Sequence, residues 1–181
     1  MKRPALTIEI ALLGFLHQEP MHGYALHQRL SDPAGLGQVW RIKLGRLYAM
    51  LARLEAAGCL TASTELQENK PPRKIFRLTD EGRRAFQAWV GSPVRHGRSL
   101  RLEFLVKLFF VRSEGAGAAA RLLAAQRARC LEWLAAEQEM VAAATGSDRP
   151  YSSLVHQFRS GQIEAMLDWL NLCAETLQHD R

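Results

Sequence analysis

Four basic residues, Lys70, Arg73, Lys74 and Arg77, fall within eight positions beside the prolines Pro71 and Pro72. A second pair, Lys43 and Arg46, brackets Gly45 at the front of an amphipathic segment, with Tyr48 just behind. Such cations neutralise phosphates, and an arginine at the start of a helix reaches the O6 and N7 acceptors of guanine. His22 and Tyr24 open another helical segment, where free backbone N–H groups favour an anion. Each of these positions has a plainer use. Lys43 and Arg46 suit a solvated helix face, Tyr48 a core tyrosine, His22 a helix cap, and a charged loop keeps an edge strand soluble.

Other chemistry finds little support. The six histidines form no HExxH, and His22 and His27 are at the wrong angle to share a ligand from one helix. There is no GxGxxG and no Walker lysine. The glycine-rich run Gly115–Ala118 lacks the strand that must precede a phosphate loop. Cys59, Cys130 and Cys173 are an odd, widely spaced set with no CxxC, which fits buried thiols in a reducing compartment. We expect no catalytic residues, no metal site and no cofactor.

The elements that must position the basic residues follow from periodicity. Leu6 to about Gln18 is a helix ended by Glu19-Pro20, and about Met21 to Ser31 is a second, closed by Asp32-Pro33. The third, about Ile42 to Ala57, has Leu44, Leu47, Leu51 and Leu54 inward, Lys43, Arg46, Met50 and Arg53 on its other side, and Gly58 as stop. Residues 59–66 and 74–79 then read as a two-stranded hairpin whose long basic tip is 67–73. Thr79 is the expected N-cap of a fourth helix carrying Phe86, Trp89 and Val90. Beyond it everything reads as helix: an apolar segment at 100–112, an alanine-rich helix at 114–144, and a last helix from about Tyr151 to Gln178. That last helix has Ile163, Met166, Leu170, Cys173 and Leu177 on one seam.

The expected fold is mainly α with a small β-hairpin. A winged helix-turn-helix domain (1–92) and a linker (93–99) lead into an all-α dimerisation domain (100–181). Charge divides along the same line. Residues 1–92 hold 13 Lys and Arg against 8 Asp and Glu, whereas 93–181 hold 11 against 10. The basic excess therefore sits with the hairpin and the third helix. The chain opens like a signal peptide, but Glu9 interrupts the apolar run and no cleavage site follows. No stretch reaches the roughly 18 apolar residues of a membrane helix, so a cytoplasmic protein without membrane contact is expected.

Five motifs stand in register over residues 6–91: Leu12-Leu13-Gly14; Pro20-Met21-His22-Gly23-Tyr24; Trp40 with Gly45-Arg46-Leu47-Tyr48; Leu51 with Arg53-Leu54-Glu55 and Gly58; and Arg77 to Gly82. In this order they resemble the PadR-like transcriptional regulators, and the segment from Glu103 to Phe110 with two long helices after it resembles the dimerisation tail of the larger members. The resemblance implies a homodimeric regulator, a repressor in the first instance, that binds double-stranded DNA. It implies contacts from His22, Tyr24, Lys43, Arg46 and Tyr48, with Lys70, Arg73, Lys74 and Arg77 in the wing. Effectors of such regulators sit in apolar pockets between the DNA-binding part and the tail. That makes Trp89, Phe104, Phe109 and Trp133 candidates for contact with a small apolar or aromatic effector. Lys43, Leu44 and Arg46 stand where the family usually has small polar residues, so the operator cannot be borrowed from relatives. A small-molecule sensor and a protein-interaction module built on a winged helix are the rival readings.

Overall fold

A computed structural model describes residues 8–67, 70–115, 117–143 and 149–179. The element order is α1 (Ala11–Gln18), β1 (Met21–His22), α2 (Gly23–Leu30), α3 (Leu44–Ala56), β2 (Leu60–Gln67), β3 (Lys70–Leu78), α4 (Asp80–Val90), α5 (Glu103–Val111), α6 (Ala118–Ala143) and α7 (Arg149–His179). This is a mainly helical, winged-helix chain with one small antiparallel sheet.

The sheet has three strands rather than two, in the order β1-β3-β2. The extra strand is the dipeptide before α2, with Met21 opposite Phe76 and His22 opposite Ile75. Its cause is local: His22 is the N-cap of α2 and takes an extended conformation (φ −82°, ψ 156°), as N-caps do. That extended dipeptide pairs with β3, and two residues are too few to leave an alternating pattern in the sequence. The hairpin also differs from expectation at its tip. β3 begins at Lys70, so Pro71 and Pro72 lie within the strand instead of a long loop. Strand β1 reaches only Ile75 and Phe76, so the prolines lie on a stretch of β3 that β1 does not pair, where a missing N–H costs little.

Three local devices join α3 and the wing to α4. At the end of α3, Gly58 (φ 75°) lets its own N–H bond Glu55 O and the next N–H bond Leu54 O, a Schellman closure. The Thr79 hydroxyl donates to Gly58 O at 2.7 Å. The Thr79 hydroxyl oxygen in turn accepts from Gly82 N–H at 3.0 Å, which caps α4 as expected.

Two compact units make up the chain: Met1–Gly91 with Leu100–Ser113, and Ser92–Ser99 with Glu114–Arg181. Helix α5 packs with the first unit. Phe104, Val106, Phe110 and Val111 are buried there. The Phe110 ring stands edge-on to Phe15 at 5.1 Å and to Phe86 at 5.6 Å. Gly14 of α1 makes room for it, since a Cβ at Gly14 would lie 2.7 Å from the Phe110 ring. Inside the same unit the buried Lys107 pairs with Glu103 at 3.1 Å and stands over the Trp89 ring, and Trp89 Nε1 donates to Glu103. That network lets a lysine sit in a core.

In the second unit α6 and α7 form an antiparallel helix pair. Leu170, Ala174 and Leu177 share an apolar groove with Ala119, Ala120, Leu123 and Ala124. His156 of α7 bonds Glu137 of α6 at 2.6 Å. The buried Gln126 accepts from Val94 N–H at 2.7 Å and donates to Cys130 Sγ. Burial pushes the Cys130 and Cys173 thiols up, away from reactive thiolate. Among the described residues no helix is long and apolar enough to cross a membrane.

Candidate nucleic-acid interface

Helix α3 buries Leu47, Met50, Leu51 and Leu54. Two positions therefore trade places relative to the sequence reading. Met50 belongs to the core stripe and Leu44, at the first helical position, is exposed (37%). The solvent side of the first turn then carries Leu44, Gly45, Arg46 and Tyr48, with Lys43 exposed at the N-cap. Lys43 and Arg46 make no ion pair among the described residues, and nothing lies within 4 Å of a Cβ placed on Gly45. The front of α3 is open, cationic and uncommitted.

The start of α2 adjoins this face. His22 Nδ1 accepts the Ala25 N–H at 3.0 Å, so the imidazole does cap the helix, and the ring proton of its neutral form is on Nε2. Tyr24 is exposed and its ring stacks near that of His22. Tyr48 is 42% exposed, and its ring covers Gly23 so closely that a Cβ there would fall 2.6 Å from Tyr48 Cε1. One aromatic surface thus joins the first turns of α2 and α3. His27 fixes their spacing by bonding Ile42 O at 2.9 Å. Sequence reading missed that contact, because a histidine bonding a loop carbonyl has no motif.

Arg53 was grouped with the outward cations, but it is an internal tie. Its guanidinium bonds Glu9, a carboxylate only 1% exposed, with Nε at 3.0 Å from Oε1. That hydrogen bond raises the Arg53 pKa above its ordinary value.

In the wing the cations divide between two faces. Arg73 and Arg77 alternate on one face of β3 and are exposed. Arg77 lies 3.6 Å from Glu65 of β2, and Arg73 is opposite Glu65 in register. Lys74 is on the other face with the buried Phe76, where its ammonium bonds Glu55 of α3 at 2.9 Å. Lys74 therefore couples the wing to α3. Lys70 belongs to β3, and its side chain lies outside the described residues.

The four aromatic candidates for effector contact fall in different units: Trp89, Phe104 and Phe109 in the first, Trp133 in the second. Trp89 and Phe104 are core residues, while Phe109 and Trp133 are half-buried. Among the described residues no group of three or more His, Cys, Asp or Glu side chains is placed to hold a metal ion.

Residues 12–88, which span all of these α2, α3 and wing positions, match the model of the transcriptional regulator PadR-like family. Residues 12–88 thus carry a PadR-like domain. Residues 100–178 match a second model, described as the virulence activator alpha C-terminal domain. Among similar proteins is the negative transcriptional regulator PadR of Bacillus subtilis (strain 168). It is 29% identical over 108 residues, covering 58% of this chain and 57% of that one. The chain thus matches little more than half the length of that relative. Another is the probable transcriptional regulator Rv1176c of Mycobacterium tuberculosis, 29% identical over 197 residues and covering 97% of this chain and all of its own. Among solved structures, Bacillus subtilis PadR in complex with operator DNA has a TM-score of 0.49 and 23% identity, covering 96% of this chain and 99% of that one. PadR-like proteins are transcriptional regulators, not enzymes. At the front of α3, Lys43, Leu44 and Arg46 are all exposed.

Proposed function

We propose that this PadR-like protein is a sequence-specific DNA-binding regulator that acts as a homodimer on a pseudo-palindromic operator. The observation that carries the reading is the front of α3, where exposed Lys43, Leu44, Arg46 and Tyr48 surround an open Gly45 and the two cations have no ion pair among the described residues. A helix presented in this way fits the major groove, with Arg46 and Lys43 at base edges and Leu44 suited to a thymine methyl. His22 Nε2–H, the Tyr24 hydroxyl and the Tyr48 hydroxyl are donors for the flanking phosphates. Arg73, with Lys70 and Arg77, neutralises phosphate beside the wing. In a two-fold dimer, paired α3 helices would read successive major grooves about 34 Å apart.

The similarity to a negative transcriptional regulator of Bacillus subtilis supports repression. A small apolar or aromatic effector that prefers a dimer spacing unlike the DNA-bound one lowers operator affinity by population shift. Such a protein acts in the cytoplasm.

The test is fluorescence anisotropy against labelled duplex from upstream of the protein's own gene, beside a scrambled duplex, from about 50 to 200 mM salt. Binding that beats the scramble by about a thousandfold or more is the expected result. No binding to either duplex by folded protein overturns it. Sedimentation equilibrium at micromolar concentration tests the dimer, which a stable monomer would exclude.

A further inference from the structure

The start of α3 is not fixed in the way that α2 and α4 are. His22 caps α2 and Thr79 caps α4 through side-chain hydrogen bonds, but Lys43, the N-cap of α3 (φ −72°, ψ 147°), makes none. The connection that delivers α3 is also long. Residues 31–43 separate it from α2, where a helix-turn-helix turn needs roughly three or four. Leu36 and Trp40 are buried, and Arg41 Nε turns back to Gly37 O at 2.9 Å, so the loop is tied to the core and to itself as far as Arg41. Past that point Ile42 is half-buried and Lys43 exposed. With these ties alone, α3 would be free to leave the loop in more than one direction.

What holds its entry is a side chain of α2. His27 Nε2 lies 2.9 Å from Ile42 O. A carbonyl only accepts, so Nε2 carries the proton and donates. The Ile42 C=O and the Lys43 N–H belong to one rigid peptide plane, and anchoring the oxygen sets the plane from which Lys43 departs into α3. A second tie lies one helical turn earlier on the same side of α2, where the Tyr48 ring covers Gly23. Two attachments a turn apart on α2 fix the tilt of α3 as well as its distance, whereas either alone would leave it a pivot. Tilt matters differently to the two kinds of DNA contact. A base-edge hydrogen bond needs its donor held within about 0.5 Å of the productive geometry, but a cation attracts phosphate over a Debye length.

We propose that His27 is a positioning residue for sequence recognition: through the Ile42 carbonyl it aims Lys43 and Arg46 at base edges, and so governs which sequence is preferred rather than how strongly DNA as such is held. This rests on the sequence-specific DNA reading above and adds the residue that sets its aim. The test is fluorescence anisotropy of the full chain on two labelled duplexes, one enriched by the native chain from a randomised pool and one scrambled from it. The readout is the ratio of the two affinities, from which any loss of folded protein cancels. His27→Leu and His27→Met remove the donor at similar bulk, and His27→Gln keeps an N–H at the reach of Nε2. His27→Leu and His27→Met should each lower the ratio about tenfold or more by weakening the enriched duplex, with the scrambled duplex and the salt slope unchanged within about twofold. His27→Gln should keep the ratio within about threefold of the native value. A ratio that the two apolar substitutions lower by less than tenfold overturns the role of His27. A loss in His27→Gln as large as theirs overturns the bond to Ile42 as its basis. A native chain that enriches no sequence overturns the sequence-specific reading and this role together.

Discussion

Replacing Arg46 by alanine separates base reading from mere charge. Arg46 is exposed, forms no ion pair among the described residues and follows a glycine with open space around it. Its removal breaks no internal contact, so the unfolding free energy should stay within about 0.5 kcal/mol of the original. On DNA, a guanidinium bonded to guanine O6 and N7 discriminates by about 1–3 kcal/mol. At 1.4 kcal/mol per decade that is roughly a 5- to 150-fold loss on the operator, confined to one base pair in each half-site.

Arg73→Ala provides the contrast. Arg73 is on the exposed face of β3, and a lost phosphate contact weakens all duplexes alike while lowering the salt slope by about 0.9. Lys74 is a poorer probe, because its ammonium is already bonded to Glu55 at 2.9 Å. The assay is anisotropy with the operator and with single-base-pair variants across a salt series. If both alanine variants lose affinity equally for every sequence, Arg46 reads no base and the assignment of the α3 front is wrong.

Three further outcomes are expected. In Gly23→Ala the new Cβ would lie 2.6 Å from Tyr48 Cε1, so the ring must swing away. About 1–3 kcal/mol of stability should go, with a parallel loss of operator affinity, and unchanged affinity would show that the ring's position is irrelevant to binding. Arg53→Met leaves the buried Glu9 carboxylate unpaired. Urea unfolding should show a lower midpoint, and Glu9→Gln in the same background should recover much of the loss. Cys130, fully buried and with its thiol pushed up by burial, should resist alkylation near pH 8 until the chain is denatured. Rapid labelling of Cys130 in the native protein would mean that α6 opens readily.

The helix-turn-helix part was legible because its determinants are local. Gly58 stops α3 through a positive φ, Thr79 caps α4 through its hydroxyl, and the prolines at 20 and 33 limit the first two helices. Each acts within a few residues and so leaves a mark in the sequence. What stayed hidden depends on distant partners. The strand at Met21–His22 exists because β3 is there to pair with it. Glu9 reaches Arg53 across 44 positions, and Lys74 is drawn to Glu55 by the return of the hairpin. A list of cations therefore overstates the interface: some of them serve the fold, and only burial and partners separate the two uses.

The tail shows the same limit in a different form. Periodicity in α7 reveals two apolar faces but not which one the chain covers for itself. The seam through Ile163 and Leu170 is the more regular in aliphatic residues, and it is the one that α6 takes. The other face mixes aromatic, small and acidic residues, which weakens it as a hydrophobic signal. That mixture is informative once the face is known to be exposed. A face meant only for solvent has no need of Tyr151, Leu154, Phe158 and Leu172, and a core face would not carry Asp168 and Glu175.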